Sequence, residues 1–130
     1  MGYFADLTQY SYIQRTAREC ELNVGWLDDE HNFATGAAPE EVLSKIFELC
    51  RKPMNLTRGR QSCVLCKERS LICTGKRGGI EIGLGNGEIR VNGKSGKVYA
   101  SPVMIYHYME AHNYNPPQEF IEAVLALEII

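Results

Sequence analysis

Ser62-Cys63-Val64-Leu65-Cys66-Lys67 is the stretch around which the chain is organised. Two cysteines separated by two residues can place both sulfurs on one ion, as in the knuckle of a structural zinc site. Farther on, His107-Tyr108-Met109-Glu110-Ala111-His112 supplies two imidazoles at a spacing such sites use. Cys63, Cys66, His107 and His112 are therefore the expected zinc ligands, in a closed tetrahedral set whose role is structural.

The two histidines carry a geometric condition. Five residues along an ideal helix rotate the side-chain direction by about 140°, against about 40° for a four-residue step. Both can meet one ion only if the helix ends before His112, and Asn113 to Pro117 favours such an ending. Cys73 is a reserve ligand just beyond the knuckle. Two other readings stay open: a pair of ordinary core thiols, and a redox Cys-x-x-Cys. The second lacks the strand-then-helix frame of thioredoxin-type sites. A catalytic zinc would need an open coordination position with Glu110 as base. The order His-x-x-Glu-x-His departs from both His-Glu-x-x-His and His-x-x-Glu-His, so no enzyme is expected.

Outward from the knuckle, Pro39-Glu40-Glu41 opens a helix, since proline suits the first turn and acids there complement the dipole. Val42, Leu43, Ile46, Phe47 and Cys50 repeat at helical spacing, and Pro53 stops the run. Residues 71 to 100 read as a three-stranded antiparallel meander. Ile80, Ile82 and Leu84 alternate, Ile89, Val91, Val98 and Tyr99 follow, and Asn86-Gly87 and Asn92-Gly93 mark turns. Gly83 to Gly87 sits between strands, so it is a hairpin rather than a phosphate loop. Ser101-Pro102 signals a second helix, ending near His112-Asn113. Asn115-Pro116-Pro117-Gln118 signals a third, with Gln118 closing a capping box and Phe120, Ile121, Val124, Leu125 and Leu127 on its buried face. Leu22 to Leu27 alternates like a strand. The expected fold is α+β: a small β-meander, three helices, and a knuckle placed as in treble-clef-like zinc modules. Its 130 residues make one domain, 1–130, large enough for a core without disulfides.

No apolar run approaches the roughly 20 residues of a membrane span, and the N-terminus lacks a signal-peptide pattern. A cytoplasmic setting follows, in which the five cysteines are thiols or metal ligands. Cys50 lies on a helix's apolar face and His31 in a polar turn.

The formal charge of -2 hides a strong polarity along the chain. Residues 51 to 77 hold eight basic side chains against Glu68 alone, and the remainder is acidic. Arg58, Arg60, Lys67 and Arg69 would suit phosphates, making a nucleic-acid-binding zinc module the alternative function. That segment has no Tyr, Phe or Trp to stack on bases. Asp28-Asp29-Glu30, beside Trp26 and Phe33, instead joins charge to aromatic anchors, a composition suited to docking a basic protein surface.

Several segments carry a resemblance: Gly2-Tyr-Phe-Ala-Asp-Leu7, Asn23-Val-Gly-Trp-Leu-Asp28, Asn55-Leu-Thr-Arg-Gly59 and Cys63-x-x-Cys66. With them go Gly85-Asn-Gly-Glu-Ile-Arg-Val91, Tyr106-His-Tyr108 and His112-x-Tyr-x-Pro-Pro117. Over nearly its whole length the chain resembles a family of small uncharacterised bacterial proteins. The resemblance implies a compact intracellular module with a zinc site and carries over no catalytic residue. In size and character, though not in motif, the chain is also similar to immunity proteins of toxin systems, including contact-dependent growth inhibition. The expected function is therefore protein binding, most specifically as an immunity protein that neutralises a cognate toxin through Asp28, Asp29 and Glu30.

Overall fold

A computed structural model describes residues 3–10, 21–56, 63–66 and 73–127. Its centre is a three-stranded sheet. Strand β4 (Glu88–Asn92) runs antiparallel to β5 (Val98–Pro102), and β1 (Glu21–Asn23) runs parallel to β5 on the other side, Leu22 opposite Tyr99. Successive side chains on a strand point to opposite faces. Ile89, Val91 and Tyr99 thus face a helical layer, while Glu88, Arg90 and Ala100 face the N-terminal aromatic segment.

The helical layer is set by local sequence. Pro39 occupies the N-cap of α1 (Glu40–Cys50) with extended backbone, and Glu40 and Glu41 stand in its first turn. Val42, Ile46, Phe47 and Cys50 are its buried stripe, packed against α2 (Ile105–Ala111) and α3 (Gln118–Leu125). The Cys50 thiol lies within the core, donating to the Val103 carbonyl at 3.5 Å. Helix α3 buries Phe120, Ile121, Ala123 and Val124, whereas Leu125 is exposed. Lys45 donates to the Leu125 and Leu127 carbonyls at 2.7 Å each, satisfying groups left open at that helix end.

On the opposite face Trp26 donates through Nε1 to the Ala100 carbonyl at 2.9 Å, and Phe4 meets its ring edge-on. Glu88, 2 % exposed, accepts from Tyr10 (2.8 Å), Asn55 (3.1 Å) and Arg90 (2.9 Å). Arg90 also reaches Glu21 at 3.1 Å and lies 4.6 Å over the Tyr10 ring. A buried charge is tolerable when paired and hydrogen-bonded in this way. Burial, followed by Glu88, pushes the Tyr10 hydroxyl up to about 12.

The α+β class and the three helices agree with the sequence reading, but the strands pair differently. Strands β2 (Thr74–Arg77) and β3 (Ile80–Gly83) close a hairpin of their own, Arg77 opposite Ile80. Its turn is Gly78-Gly79, both at positive φ, as two-residue hairpin turns require. Leu84 then donates its N–H to the Cys73 carbonyl and is buried, drawing the chain away. Residues 84 to 87 are thus a link between sheets, and the segment 83–87 is not a hairpin. Nor is Asn92-Gly93 a tight turn: the β4–β5 connection spans 93–97, with Ser95 and Gly96 at positive φ. A Cβ at Gly93 would sit 2.6 Å from the Tyr99 ring, so close approach requires glycine there.

Helix starts shift as well. Ser101 and Pro102 complete β5 opposite Ile89 and Glu88, and α2 begins three residues later. Pro117 is the N-cap of α3, which makes no side-chain capping bond, so the Gln118 capping box is not formed. Among the described residues no helix is long and apolar enough to cross a membrane.

Candidate metal centre

Cys63 and Cys66 bracket a turn in which the Cys66 N–H donates to the Cys63 carbonyl at 3.3 Å. Cys63 is buried and Cys66 half-buried, facing α2. His107 stands on that helix and His112 is its C-cap, with non-helical backbone (φ -116°, ψ 9°). Asn113 follows at φ 56°, a left-handed position that asparagine tolerates better than most residues. The chain turns back, and the Tyr114 N–H reaches the Tyr108 carbonyl at 3.0 Å. The helix therefore ends where two histidines five apart need it to, and both rings reach the cysteines.

His107 Nε2 lies 3.2 Å from Cys66 Sγ, and His112 Nε2 lies 3.4 Å from both Sγ atoms. All four donor atoms lie within 4.8 Å of one another. Zinc bonds of about 2.3 Å to sulfur and 2.0–2.1 Å to nitrogen give a tetrahedral S···N separation of about 3.6 Å. The observed distances are within a few tenths of an ångström of that figure. Cys63, Cys66, His107 and His112 are close enough to bind one metal ion.

Electrostatics favour neutral donors. Burial lowers His107, with His112 adding to the effect, and burial lowers His112 as well, so both imidazoles are held in the form that ligates. Burial also pushes the Cys63 thiol up to about 11. A divalent cation reverses this, because it stabilises thiolates directly. Cys73 is buried beside the pair and pushed up to about 12 by burial and then by charge on Cys63 and Cys66. It stands outside the four-donor group. Cys50, Cys63, Cys66 and Cys73 are all free thiols.

Glu110, the base of the catalytic alternative, accepts from the Tyr106 hydroxyl at 2.9 Å. Arg77 donates to that hydroxyl at 3.2 Å and pairs with Glu40.

The acidic segment Asp28-Asp29-Glu30 is a turn closed by Asp28. Its Oδ1 accepts from the Glu30 N–H (3.2 Å), the His31 N–H (3.0 Å) and His31 Nδ1 (2.8 Å). Slight desolvation raises the Asp28 carboxyl, but these bonds outweigh it and hold the group below its ordinary range. His31, in the polar turn as expected, is exposed and stacks on Tyr3 with centroids 3.8 Å apart. A cleft of about 550 Å³ separates this turn from the knuckle, lined by Asp28, Asp29, Phe33, Leu65 and Cys66 among others. Sequence reasoning missed it, because its walls come from segments some thirty residues apart with no shared pattern. Arg58, Arg60, Lys67 and Arg69 lie outside the described residues, as does Cys20.

No curated protein and no solved structure matches the chain. One family model, described as a domain of unknown function (DUF7919), matches residues 2–125. That match takes in the sheet, all three helices and every donor of the metal centre, and the chain belongs to this family.

Proposed function

We propose that this chain is a protein-binding module whose fold is clamped by one structural zinc ion. The observation that carries the reading is the convergence of Cys63, Cys66, His107 and His112 at zinc-like spacing from two distant segments. Mixed thiolate and imidazole donors suit zinc above hard cations such as magnesium or calcium. Four protein ligands complete a tetrahedron, leaving no position for a substrate, which supports a structural role over a hydrolytic one. The engagement of Glu110 by Tyr106 points the same way.

The binding face is the acidic turn. Asp29 and Glu30 are exposed, and Asp28 is fixed by its turn. The basic segment 51–77 has no Tyr, Phe or Trp to stack on bases, which favours a protein partner over nucleic acid. In its most specific form the partner is a toxin domain and the chain its immunity protein. Native mass spectrometry should find one zinc per chain, lost in Cys63→Ser with Cys66→Ser. Affinity capture from the native host should yield a stoichiometric partner, released when Asp28, Asp29 and Glu30 are replaced by lysine. A metal-free folded protein, or capture indifferent to those charges, would sink the reading.

A further inference from the structure

The knuckle turn can close in two ways, and it cannot hold both at once. Cys63 Sγ and Cys66 Sγ lie within 4.8 Å of each other, where one ion could take both. The same turn is closed by the Cys66 N–H on the Cys63 carbonyl at 3.3 Å. Such a turn brings its end Cα atoms within about 7 Å, and disulfides bridge about 4.4 to 6.8 Å. We propose that Cys63 and Cys66 form a reversible oxidation site, in which a hydroperoxide reaching Cys66 closes the Cys63–Cys66 disulfide and releases the zinc. The inference rests on the zinc reading and adds the regulation of that same site.

Access separates the two sulfurs. Cys63 is 2 % exposed, whereas Cys66 is half-buried and lines the cleft of about 550 Å³ beside the knuckle. Oxidation of cysteine follows thiolate character and exposure. Both zinc ligands are held as thiolates, so exposure decides between them, and Cys66 is the sulfur that meets the oxidant. Cys63, buried in the same turn, is the resolving partner. The other described thiols are poorly placed to compete. Cys50 lies in the core and donates to the Val103 carbonyl. Cys73 is buried and stands outside the four-donor group.

The reaction needs only hydrogen peroxide and two protons. The Cys66 thiolate attacks one peroxide oxygen, the O–O bond breaks, and the departing hydroxide takes a proton to become water. Cys66 then carries a sulfenic acid. The Cys63 thiolate attacks that sulfur, the S–O bond breaks, and a second hydroxide leaves as water after taking a proton. Two electrons pass from sulfur to oxygen, giving one disulfide and two waters. The disulfide keeps no thiolate to bind a cation, and His107 and His112 alone are two donors where zinc takes four. Among the described residues the polar contacts from the knuckle to α2 and its C-cap are the sulfur–nitrogen pairs at 3.2 to 3.4 Å. The same step therefore unfastens the knuckle from that helix.

The test is to treat the zinc-loaded protein with excess hydrogen peroxide and follow zinc release with a chromogenic chelator. One zinc should leave per disulfide formed, and a phosphine reductant with added zinc should restore both the metal and the thermal midpoint. Free thiols are then alkylated in denaturant. The tryptic peptide 61–67 holds Cys63 and Cys66 and no other cysteine, and it should be unalkylated and two hydrogens lighter. Cys73 falls in the separate peptide 70–76 and should remain a free thiol. Dimedone present during oxidation should mark Cys66 and not Cys63. Cys73→Ser should release zinc at an unchanged rate. Zinc kept while peptide 61–67 stays reduced would overturn the inference and leave the metal reading intact. A Cys66–Cys73 link, dimedone on Cys63, or slower release in Cys73→Ser would overturn the assigned pair. A protein that holds no zinc yet closes the same disulfide would remove the metal reading and leave the oxidation site standing.

Discussion

Two regions tie distant parts of this chain together, and they do so by opposite means. Beneath the sheet, Glu88, Arg90, Tyr10, Asn55 and Glu21 satisfy one another with hydrogen bonds and ion pairs of 2.8 to 3.1 Å. At the knuckle, two thiols and two imidazoles converge with weak donors and no opposite charges among them. The first arrangement is complete without outside help. The second gains most of its strength only when a cation converts the thiols to thiolates. One clamp is intrinsic to the fold and the other is conditional on a ligand.

The largest expected effect follows from that contrast. On the proposed zinc reading, stripping the ion with a strong chelator should remove on the order of 10 kcal/mol of apparent stability, by analogy with zinc-finger peptides. Thermal denaturation followed by circular dichroism should show the loss, with recovery on adding back zinc. A protein whose bound zinc is removed without any fall in thermal midpoint would erase the distinction between the two clamps.

Next in size is the intrinsic clamp. Glu88→Ala should cost about 3 kcal/mol, because it leaves the Tyr10 hydroxyl and Asn55 amide without their acceptor and Arg90 with one carboxylate partner, Glu21. Denaturant titration of zinc-loaded protein gives the number, and zinc affinity should be unchanged. A parallel loss of zinc affinity would mean that the two clamps are coupled through the sheet.

The contrast also separates what could be read from the sequence and what could not. The convergence of Cys63, Cys66, His107 and His112 was legible because ligand chemistry restricts both residue type and spacing, and Asn113 to Pro117 marked the helix end that brings His112 round. Helix α1 was legible from Pro39 and its apolar period. The clamp under the sheet was not, since Tyr10 and Glu88 are 78 residues apart and no spacing rule pairs a tyrosine with a distant carboxylate. Strand β1 has three residues and pairs in parallel with a strand seventy-seven positions later, so no local signal fixes its partner. Gly78-Gly79 and the two Asn-Gly pairs are turn signals of one kind, and only burial of Leu84 decides between them.

Alkaline titration sharpens the comparison at about 2 kcal/mol. The Tyr10 hydroxyl is raised from 10.0 to about 12 by burial and by Glu88. Below pH 10 both folded and unfolded chains hold that proton. Between 10 and about 12 the unfolded chain releases it while the folded chain keeps it, so the folded state binds more protons and stability falls as pH rises. Tyr10→Phe should abolish this part of the alkaline decline and, near neutral pH, cost about 1 kcal/mol for the lost hydrogen bond. Equal slopes above pH 10 in both proteins would show that the other groups raised by burial, the thiols and Tyr106, Tyr108 and Tyr114 among them, govern the alkaline limit.

The smallest effect belongs to the hairpin that links neither clamp. Gly78 is exposed at φ 57°, and a Cβ there would meet nothing within 4 Å, so the penalty of Gly78→Ala is purely conformational. A left-handed alanine costs about 1 kcal/mol. The loss should appear in denaturant unfolding of zinc-loaded protein while zinc affinity is preserved, because the turn lies at the far end of β2 from Cys73. If zinc affinity falls with it, the β2–β3 hairpin is part of what positions the knuckle, and the conditional clamp extends through Cys73 into the second sheet.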